Sequence, residues 1–497
     1  MTPLLFTLSF GLACEQGPRR EVPLPVRLET RALNRDVFTL DRGLKPMIAT
    51  PAAGLTRGPD VVVIVLDTFR ADRLAAYGGD PDLAPNLNKF AETATVFTAM
   101  RATGSWTLPS HGSLFTGEFP MEHGGHGSPA DAATKAYALS TDVPTLAERL
   151  TEAGWGTVGI AANRAFLDSI WGLARGFELW MCEGLSAGHE LGYAQGDRIT
   201  GLAQAALTRW NKPEAPAARP LFLFLNYMDT HTPWVPREGY TAHPERIDAQ
   251  FLPGARLWPQ AKKGRWNRSR IAILSNKRDA TKAERETWEE AYNAEVRFVD
   301  AQVGALLDAL PSLGVGPEDY VVILSDHGEF LGEHRLLEHS KDLYDEVLRV
   351  PLMVRGPGFT PGPNPAPIQT HDVPELILAA LGLPPLSDEP PTTDLQVSEL
   401  YYARHRDLGV PALKERFDRV RRSFVLSGEK LILTEGGPSE RYDLRADPQE
   451  LRPLAEPNPG LEDRARAWSE GHVPNQGAAP TLDAAQEERL KALGYMN

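Results

Sequence analysis

Four runs of apolar residues stand out along the chain, and three of them end on polar side chains. Asp60-Val61-Val62-Val63-Ile64-Val65-Leu66 is continuous and stops at Asp67. Pro220-Leu221-Phe222-Leu223-Phe224-Leu225 leads to Asn226-Tyr227-Met228-Asp229-Thr230-His231. Tyr320-Val321-Val322-Ile323-Leu324 leads to Ser325-Asp326-His327, and Val350 to Val354 leads into the turn Arg355-Gly356-Pro357-Gly358. Apolar runs of this length without alternation fit strands buried on both faces of a mainly parallel sheet. Between them the apolar spacing predicts helices over about 86–97, 143–153, 197–210, 284–311 and 372–382. In the long one Trp288, Tyr292, Val296, Val299, Val303, Leu306 and Leu310 recur at three- and four-residue steps, which is one buried face.

Strands alternating with helices predict an α/β fold, a large mainly parallel mixed sheet sandwiched by helices. The pattern changes after about residue 400. Arg422 to Leu426 and Lys430 to Thr434 flank Ser427-Gly428-Glu429, a hairpin signal, and Arg441 to Leu444 adds a strand. A last helix is expected over about 482–494, giving a smaller C-terminal antiparallel-sheet α+β subdomain over 401–497 beside a main domain over 60–400. Ligands of open α/β sheets gather beyond the carboxyl ends of the strands. Asp67, Asp229 with His231, and Asp326 with His327 all fall at such ends.

A further stretch, Thr103-Gly104-Ser105-Trp106-Thr107-Leu108-Pro109-Ser110-His111, places the Thr107 hydroxyl two residues before a proline. A helix is expected to start after Pro109, with a serine in the capping region. A hydroxyl at such a terminus lies near unpaired N–H groups, a place to hold and attack an anionic ester.

Composition narrows the class. The 497 residues carry a net charge of −14, which argues against bulk nucleic-acid binding. Residues 256–278 run against that trend, with eight Lys and Arg and no acidic residue, and read either as a solvated loop or as a basic lip for an anion. The two cysteines, Cys14 and Cys182, form no disulfide framework. Leu4 to Ala13 is largely apolar and ends at Cys14, similar to a bacterial lipoprotein signal over 1–14; it is too short to span a bilayer. That expectation places the chain at the cell envelope, periplasmic or on the outer surface, lipid-anchored at Cys14. Residues 15–59, rich in Pro and Arg, read as a tether with some extended structure.

Asp67, Asp326 and His327, with the Thr107 oxygen, form a candidate set for one divalent cation. Coordination brings a hydroxyl of pKa ~15.7 toward ~7, which would make Thr107 a nucleophile. On Val63 to Asp72, Pro85-Asn86-Leu87, Thr107-Leu108-Pro109-Ser110 with Thr116-Gly117, Asp229 to Pro233, Ser325 to Glu329, Leu343-Tyr344-Asp345-Glu346 and Tyr442-Asp443-Leu444, the chain resembles the sulfatase family of the alkaline phosphatase superfamily. The resemblance implies that Asp67, Asp326 and His327 hold the metal, calcium or magnesium first and manganese or zinc as further options. It also implies that Thr107 attacks the ester and that His231 and His339 lie near the leaving group. The partner it implies is an anionic ester: a small molecule, a glycan or a lipid headgroup.

The departures from the family are equally plain. Active sulfatases carry Cys or Ser, matured to formylglycine, before an x-Pro-x-Arg; here the positions hold Thr107 and His111, so no formylglycine is expected. Thr68 replaces a frequent second Asp, and Ala161 to Arg164 stands where a Lys-x-His is usual. Threonine nucleophiles occur in phosphodiesterases and headgroup transferases of the superfamily. Three readings follow: a hydrolase of sulfate or phosphate esters, a cell-envelope phosphoryl-headgroup transferase, and an inactive sulfatase fold that binds.

Overall fold

The computed structural model describes residues 40, 42, 58–132, 134–182, 193–211, 219–253, 265–386, 394–475, 477–481, 483 and 484. Cys14, the 1–14 signal, nearly all of 15–59, the basic residues of 256–264 and nearly all of the expected 482–494 helix lie outside them. Among the described residues no helix is long and apolar enough to cross a membrane.

The main sheet has eight strands: β1 (Val61–Leu66), β2 (Thr95–Arg101), β3 (Gly156–Ala161), β4 (Leu179–Cys182), β5 (Leu221–Tyr227), β6 (Tyr320–Leu324), β7 (Leu352–Arg355) and β8 (Gly362–Gln369). Their spatial order is β8-β2-β7-β6-β1-β5-β3-β4. β7 pairs antiparallel with β2 and β6, and every other neighbouring pair is parallel. β1 sits centrally, all six of its residues buried. Its continuous Val/Ile run is what a strand covered on both faces requires, each such side chain contributing about 1.5–3 kcal/mol of burial. β8 carries Pro363, Pro365 and Pro367 and lies at the sheet edge, where missing N–H groups cost no ladder bond.

Five helices fall where the periodicity places them, with adjusted ends. α1 is Pro85–Ala91, α2 is Thr107–Thr116, α3 is Leu146–Glu152, α4 is Gly196–Trp210, α5 is Arg265–Leu274, α6 is Lys282–Ala309 and α7 is Asp372–Ala380. The segment expected as one helix over 86–97 divides into α1 and β2. Thr93 to Phe97 includes β-branched and aromatic residues, which favour the strand. α3 and α6 start at capping boxes, Thr145 with Glu148 and Thr281 with Glu284.

A second sheet of four antiparallel strands, β9 (Gln396–Tyr401), β10 (Val420–Leu426), β11 (Glu429–Thr434) and β12 (Glu440–Asp443), carries the expected hairpin. Its first strand starts ahead of residue 401. A helix over Pro459–Gly471 covers it through Leu461, Ala465 and Trp468.

Candidate active site

The carboxyl ends of β6, β1, β5 and β3 lie side by side, with Leu66 in register with Tyr227 and Val65 with Leu324. Each strand therefore delivers its next polar residues to one place. β1 delivers Asp67, β6 delivers Asp326 and His327, β5 delivers Asn226, Asp229 and His231, and β3 delivers Asn163. α2 points its N-terminus at the same place. It begins at Thr107, ahead of the expected start after Pro109. A proline in the first turn is tolerated because its missing N–H has no intrahelical partner to lose. Ser110 is thus inside the helix, not a cap, and its hydroxyl donates to the Asp326 carbonyl at 2.5 Å. Gly112 lets the His123 ring lie directly against α2, where a Cβ would overlap it.

Asp67, Asp326 and His327 are all fully buried, and one ligand atom from each lies within 4.8 Å of the others. His327 Nδ1 donates to the Gly328 carbonyl at 2.9 Å, which leaves Nε2 with its lone pair. Nε2 is 3.4 Å from Asp326 Oδ2 and 3.9 Å from Asp67 Oδ1. None of these three atoms has a hydrogen-bond partner. The other carboxylate oxygens are satisfied: Asp326 Oδ1 accepts from the Thr68 and His327 amides, and Asp67 Oδ2 accepts from Asn163 Nδ2 at 3.0 Å. Thr68 adopts a left-handed φ of 60°, which turns its amide toward Asp326.

Two buried carboxylates facing each other without a counter-charge resist ionisation. Burial pushes Asp67 up to about 7, against hydrogen bonds from Asn163, Asn226 and Thr107. Burial and the neighbouring Asp67 push Asp326 well above the usual carboxylate range. A divalent cation between the three orphaned atoms removes both penalties, and an oxygen-rich set with one imidazole suits such an ion. The residues present fit the cation.

The structure brings Thr107, His231 and His339 to this cluster. Asn163 Nδ2, which holds Asp67, also donates to Thr107 Oγ1 at 3.3 Å. The ring centroids of His327 and His339 are 4.6 Å apart, and those of His339 and His231 are 4.9 Å apart. His339 Nδ1 is 3.0 Å from Glu329 Oε1, and His231 Nδ1 donates to the Thr232 carbonyl at 2.6 Å. Burial, then Arg404, lowers His231 to about 3 and holds His339 well below the usual histidine range.

Three contributors were not singled out as site residues from the sequence. Asn163 takes the place of an expected cationic segment and clamps Asp67 to Thr107; its position just past a strand end was the available signal. His111, at the usual arginine position, hydrogen-bonds the Thr107 carbonyl at 3.0 Å and lies 3.4 Å from Asp326 Oδ2, and burial lowers it to about 4. Glu329 backs His339 and is the last residue of the motif Ser325-Asp326-His327-Gly328-Glu329. Asp229 turns away from the trio toward the Gly196 amide and Arg237. Where it is described the basic segment divides: Arg265, Arg268 and Lys277 are exposed, whereas Arg270 is buried against Glu338 and Asp407 and Arg278 pairs with Glu284.

Fold and site together define an ester hydrolase of the alkaline-phosphatase-like superfamily. Residues 59–383 match the sulfatase family model, and the chain belongs to the sulfatase family. A choline-sulfatase of Rhizobium meliloti is 25% identical over 449 residues, covering 82% of this chain and 85% of the relative. An N-acetylglucosamine-6-O-sulfatase of Bacteroides thetaiotaomicron is 22% identical over 490 residues, covering 81% of this chain and 84% of the relative. Among solved structures, a phosphonate monoester hydrolase of Silicibacter pomeroyi shares the fold with a TM-score of 0.59 at 19% identity, over 83% of this chain and 95% of that one.

Proposed function

We propose that the chain is a metal-dependent hydrolase of a phosphate or sulfate ester in which Thr107 is the nucleophile. The observation that carries this is the convergence of three partnerless ligand atoms, on Asp67, Asp326 and His327, beside the Thr107 hydroxyl. A bound divalent cation would offset the two carboxylates, polarise the ester and lower the pKa of a hydroxyl it contacts.

The chain's own groups do the rest. Asn163 fixes the Thr107 side chain against Asp67, so the hydroxyl proton has a carboxylate acceptor at hand. Thr107 Oγ1 attacks phosphorus or sulfur, forming one Oγ1 bond as the ester bond to the alcohol oxygen breaks. His231 or His339 protonates the departing oxygen. Burial keeps both rings neutral in the free protein; an anionic ester against them favours the protonated form. Water then attacks the same centre, releasing the oxyanion and restoring the Thr107 hydroxyl. A threonyl ester has no second hydroxyl with which to expel the group as a carbonyl. This second attack is therefore required, and it favours phosphorus over sulfur. The relatives named for choline sulfate and N-acetylglucosamine 6-sulfate keep sulfate esters in the comparison. We infer in addition that the chain is tethered at the cell envelope through Cys14, on the apolar segment that precedes it.

The test is a parallel assay of 4-nitrophenyl sulfate, 4-nitrophenyl phosphate and bis(4-nitrophenyl) phosphate. Calcium, magnesium, manganese or zinc is restored after chelation, with Thr107→Ala alongside. Cation- and Thr107-dependent phosphoester turnover is expected. Turnover that survives in Thr107→Ala would refute the nucleophile assignment.

A further inference from the structure

His339 stands on a short stretch that its surroundings hold at every residue. Phe330–Leu331 pairs antiparallel with Leu337–Glu338, Phe330 opposite Glu338. That register brings Glu329 beside His339, and their side chains meet at 3.0 Å. Glu338 and Ser340, on either side of His339, both adopt a left-handed φ, 63° and 56°. A residue other than glycine is strained there and persists only where its neighbours fix it. The Ser340 amide donates to the carbonyl of Ser105, two residues ahead of Thr107, at 2.9 Å. The Glu338 carboxylate takes Arg270 at 2.8 Å, Arg404 at 3.0 Å and Arg406 at 2.8 Å.

Lys341 is the cation of this cluster that reaches the histidine itself. It is fully buried, and its ammonium donates to the His339 carbonyl at 3.0 Å. The same ammonium pairs with Asp407 at 2.7 Å and lies 3.6 Å from Glu338. An ammonium has three N–H donors, and two carboxylates and a carbonyl surround this one. Lys341 therefore acts through His339 and not by touching substrate. A purely structural role would be to tie α5 and the segment after β9 to this hairpin. Arg270, Arg404 and Arg406 already meet it through Glu338, and Arg270 also pairs with Asp407. That role asks for no bond to the backbone of the residue whose ring faces His231 and His327.

We propose that Lys341 is a positioning residue for His339. Through the His339 carbonyl and Glu338 it sets the imidazole against Glu329 and beside His231, where a departing alcohol oxygen takes its proton. The proposal rests on the hydrolase reading in taking His339 to serve the leaving group.

The experiment compares Lys341→Met with wild type on two esters of the same acid, the 4-nitrophenyl and the phenyl ester. Phenol is the poorer leaving group and depends more on being protonated as it departs. Lys341→Met should lower kcat for the phenyl ester by about tenfold or more and for the 4-nitrophenyl ester by less than about threefold, with KM little changed. Asp407 keeps Arg270 in that variant, so its charge stays paired. Arg406→Met, at the partly exposed end of the cluster, should show the same selectivity at a smaller size, and it decides the matter if Lys341→Met does not fold. Equal losses on the two esters, or no loss in either variant, would overturn the proposal. Nitrogen NMR of the imidazoles gives a readout that needs no turnover. The His339 signals, identified by their absence in His339→Gln, should move in Lys341→Met while those of His111 stay. Unmoved His339 signals would overturn the proposal. Moved signals in a protein whose wild type hydrolyses no ester would instead overturn the hydrolase reading and leave the positioning role standing.

Discussion

Stripping the cation should open a stability gap to the loaded protein, and that gap should widen as pH rises. Asp67 carries the magnitude. Its carboxyl is held near 7 in the fold against an ordinary 3.8. At about 1.4 kcal/mol per tenfold change in proton affinity, that is a difference of about 4 kcal/mol. Below about pH 4 the group is protonated in both the folded and unfolded chains, and it costs the chelated protein nothing. As pH rises, the unfolded chain ionises first and binds fewer protons, so unfolding becomes progressively easier until Asp67 itself ionises near pH 7. Asp326, pushed higher still, extends the loss upward.

A cation between the carboxylates reverses this preference, and its binding releases the proton. The assay is thermal unfolding at pH 5, 6, 7 and 8, with chelator or with calcium or magnesium. The gap in Tm should widen across the range by roughly 5 °C, because about 1.6 of the 4 kcal/mol is already lost by pH 5 and a large domain shifts about 2 °C per kcal/mol. Glu295 and Asp229, raised to about 7 and about 6 chiefly by burial, titrate in both preparations and cancel in the gap. Asp67→Asn should remove about 2.6 kcal/mol of pH-dependent loss from the chelated protein between pH 5 and 8. A gap that stays constant from pH 5 to 8, or chelated and loaded proteins that melt together throughout, would refute the reasoning.

Thr107→Ala should cut turnover by roughly 10³-fold or more, because no other side chain supplies the covalent oxygen; steady-state rates with 4-nitrophenyl phosphate check it. Asp326→Asn should weaken cation binding while circular dichroism stays native, since one charged ligand is lost and the amide conserves the shape; metal content after dialysis decides it. Asn163→Ala should lower kcat about tenfold or more with KM little changed, because it frees the two groups the amide holds together; a KM-only effect would count against that role. Glu329→Gln should alter the pH dependence of kcat more than its maximum, since the carboxyl backs His339; an unchanged profile with full activity would remove His339 from the proton transfer.

Much of this was legible because buried parallel strands need unbroken apolar runs, and such runs mark their own ends. Asp67, His231, Asp326 and His327 follow from that rule alone, and the long periodic face of α6 fixed one covering layer. Strands whose sequences lack the signature went unread. β3 is interrupted by Gly156 and Gly159, whose missing side chains admit Trp210 and Trp180. β8 is half proline and glycine, legible only as an edge. β2 was absorbed into a helix because its apolar residues continue the spacing of α1. The partners of catalytic candidates were harder still. Asn163 matters through what it touches 96 residues away, at Asp67, a distance that no local pattern encodes, and Glu329 through a turn that brings it to His339 ten residues on.

The residues that depart from the family pattern form one consistent change. His111 and Asn163 are neutral in the fold, where the pattern has an arginine and a Lys-x-His, so the floor of the site lacks the usual cations for a substrate anion. His111 instead orients around Thr107 and Asp326, and Asn163 around Thr107 and Asp67, which makes both of them organisers of the hydroxyl. Positive charge enters from another part of the chain. Arg404 and Arg406 come from the segment after β9, Arg270 from α5, and Lys341 from the residues just past His339, all gathered on Glu338. Glu338 has a left-handed φ of 63° and Ser340 one of 56°, so the short stretch that presents His339 is bent against its own preference. Ion pairs to four cations hold that bend in place. On the proposed reading, the ion site and the nucleophile stay at the family position. The cations gathered on Glu338 come from segments that the catalytic motifs do not contain.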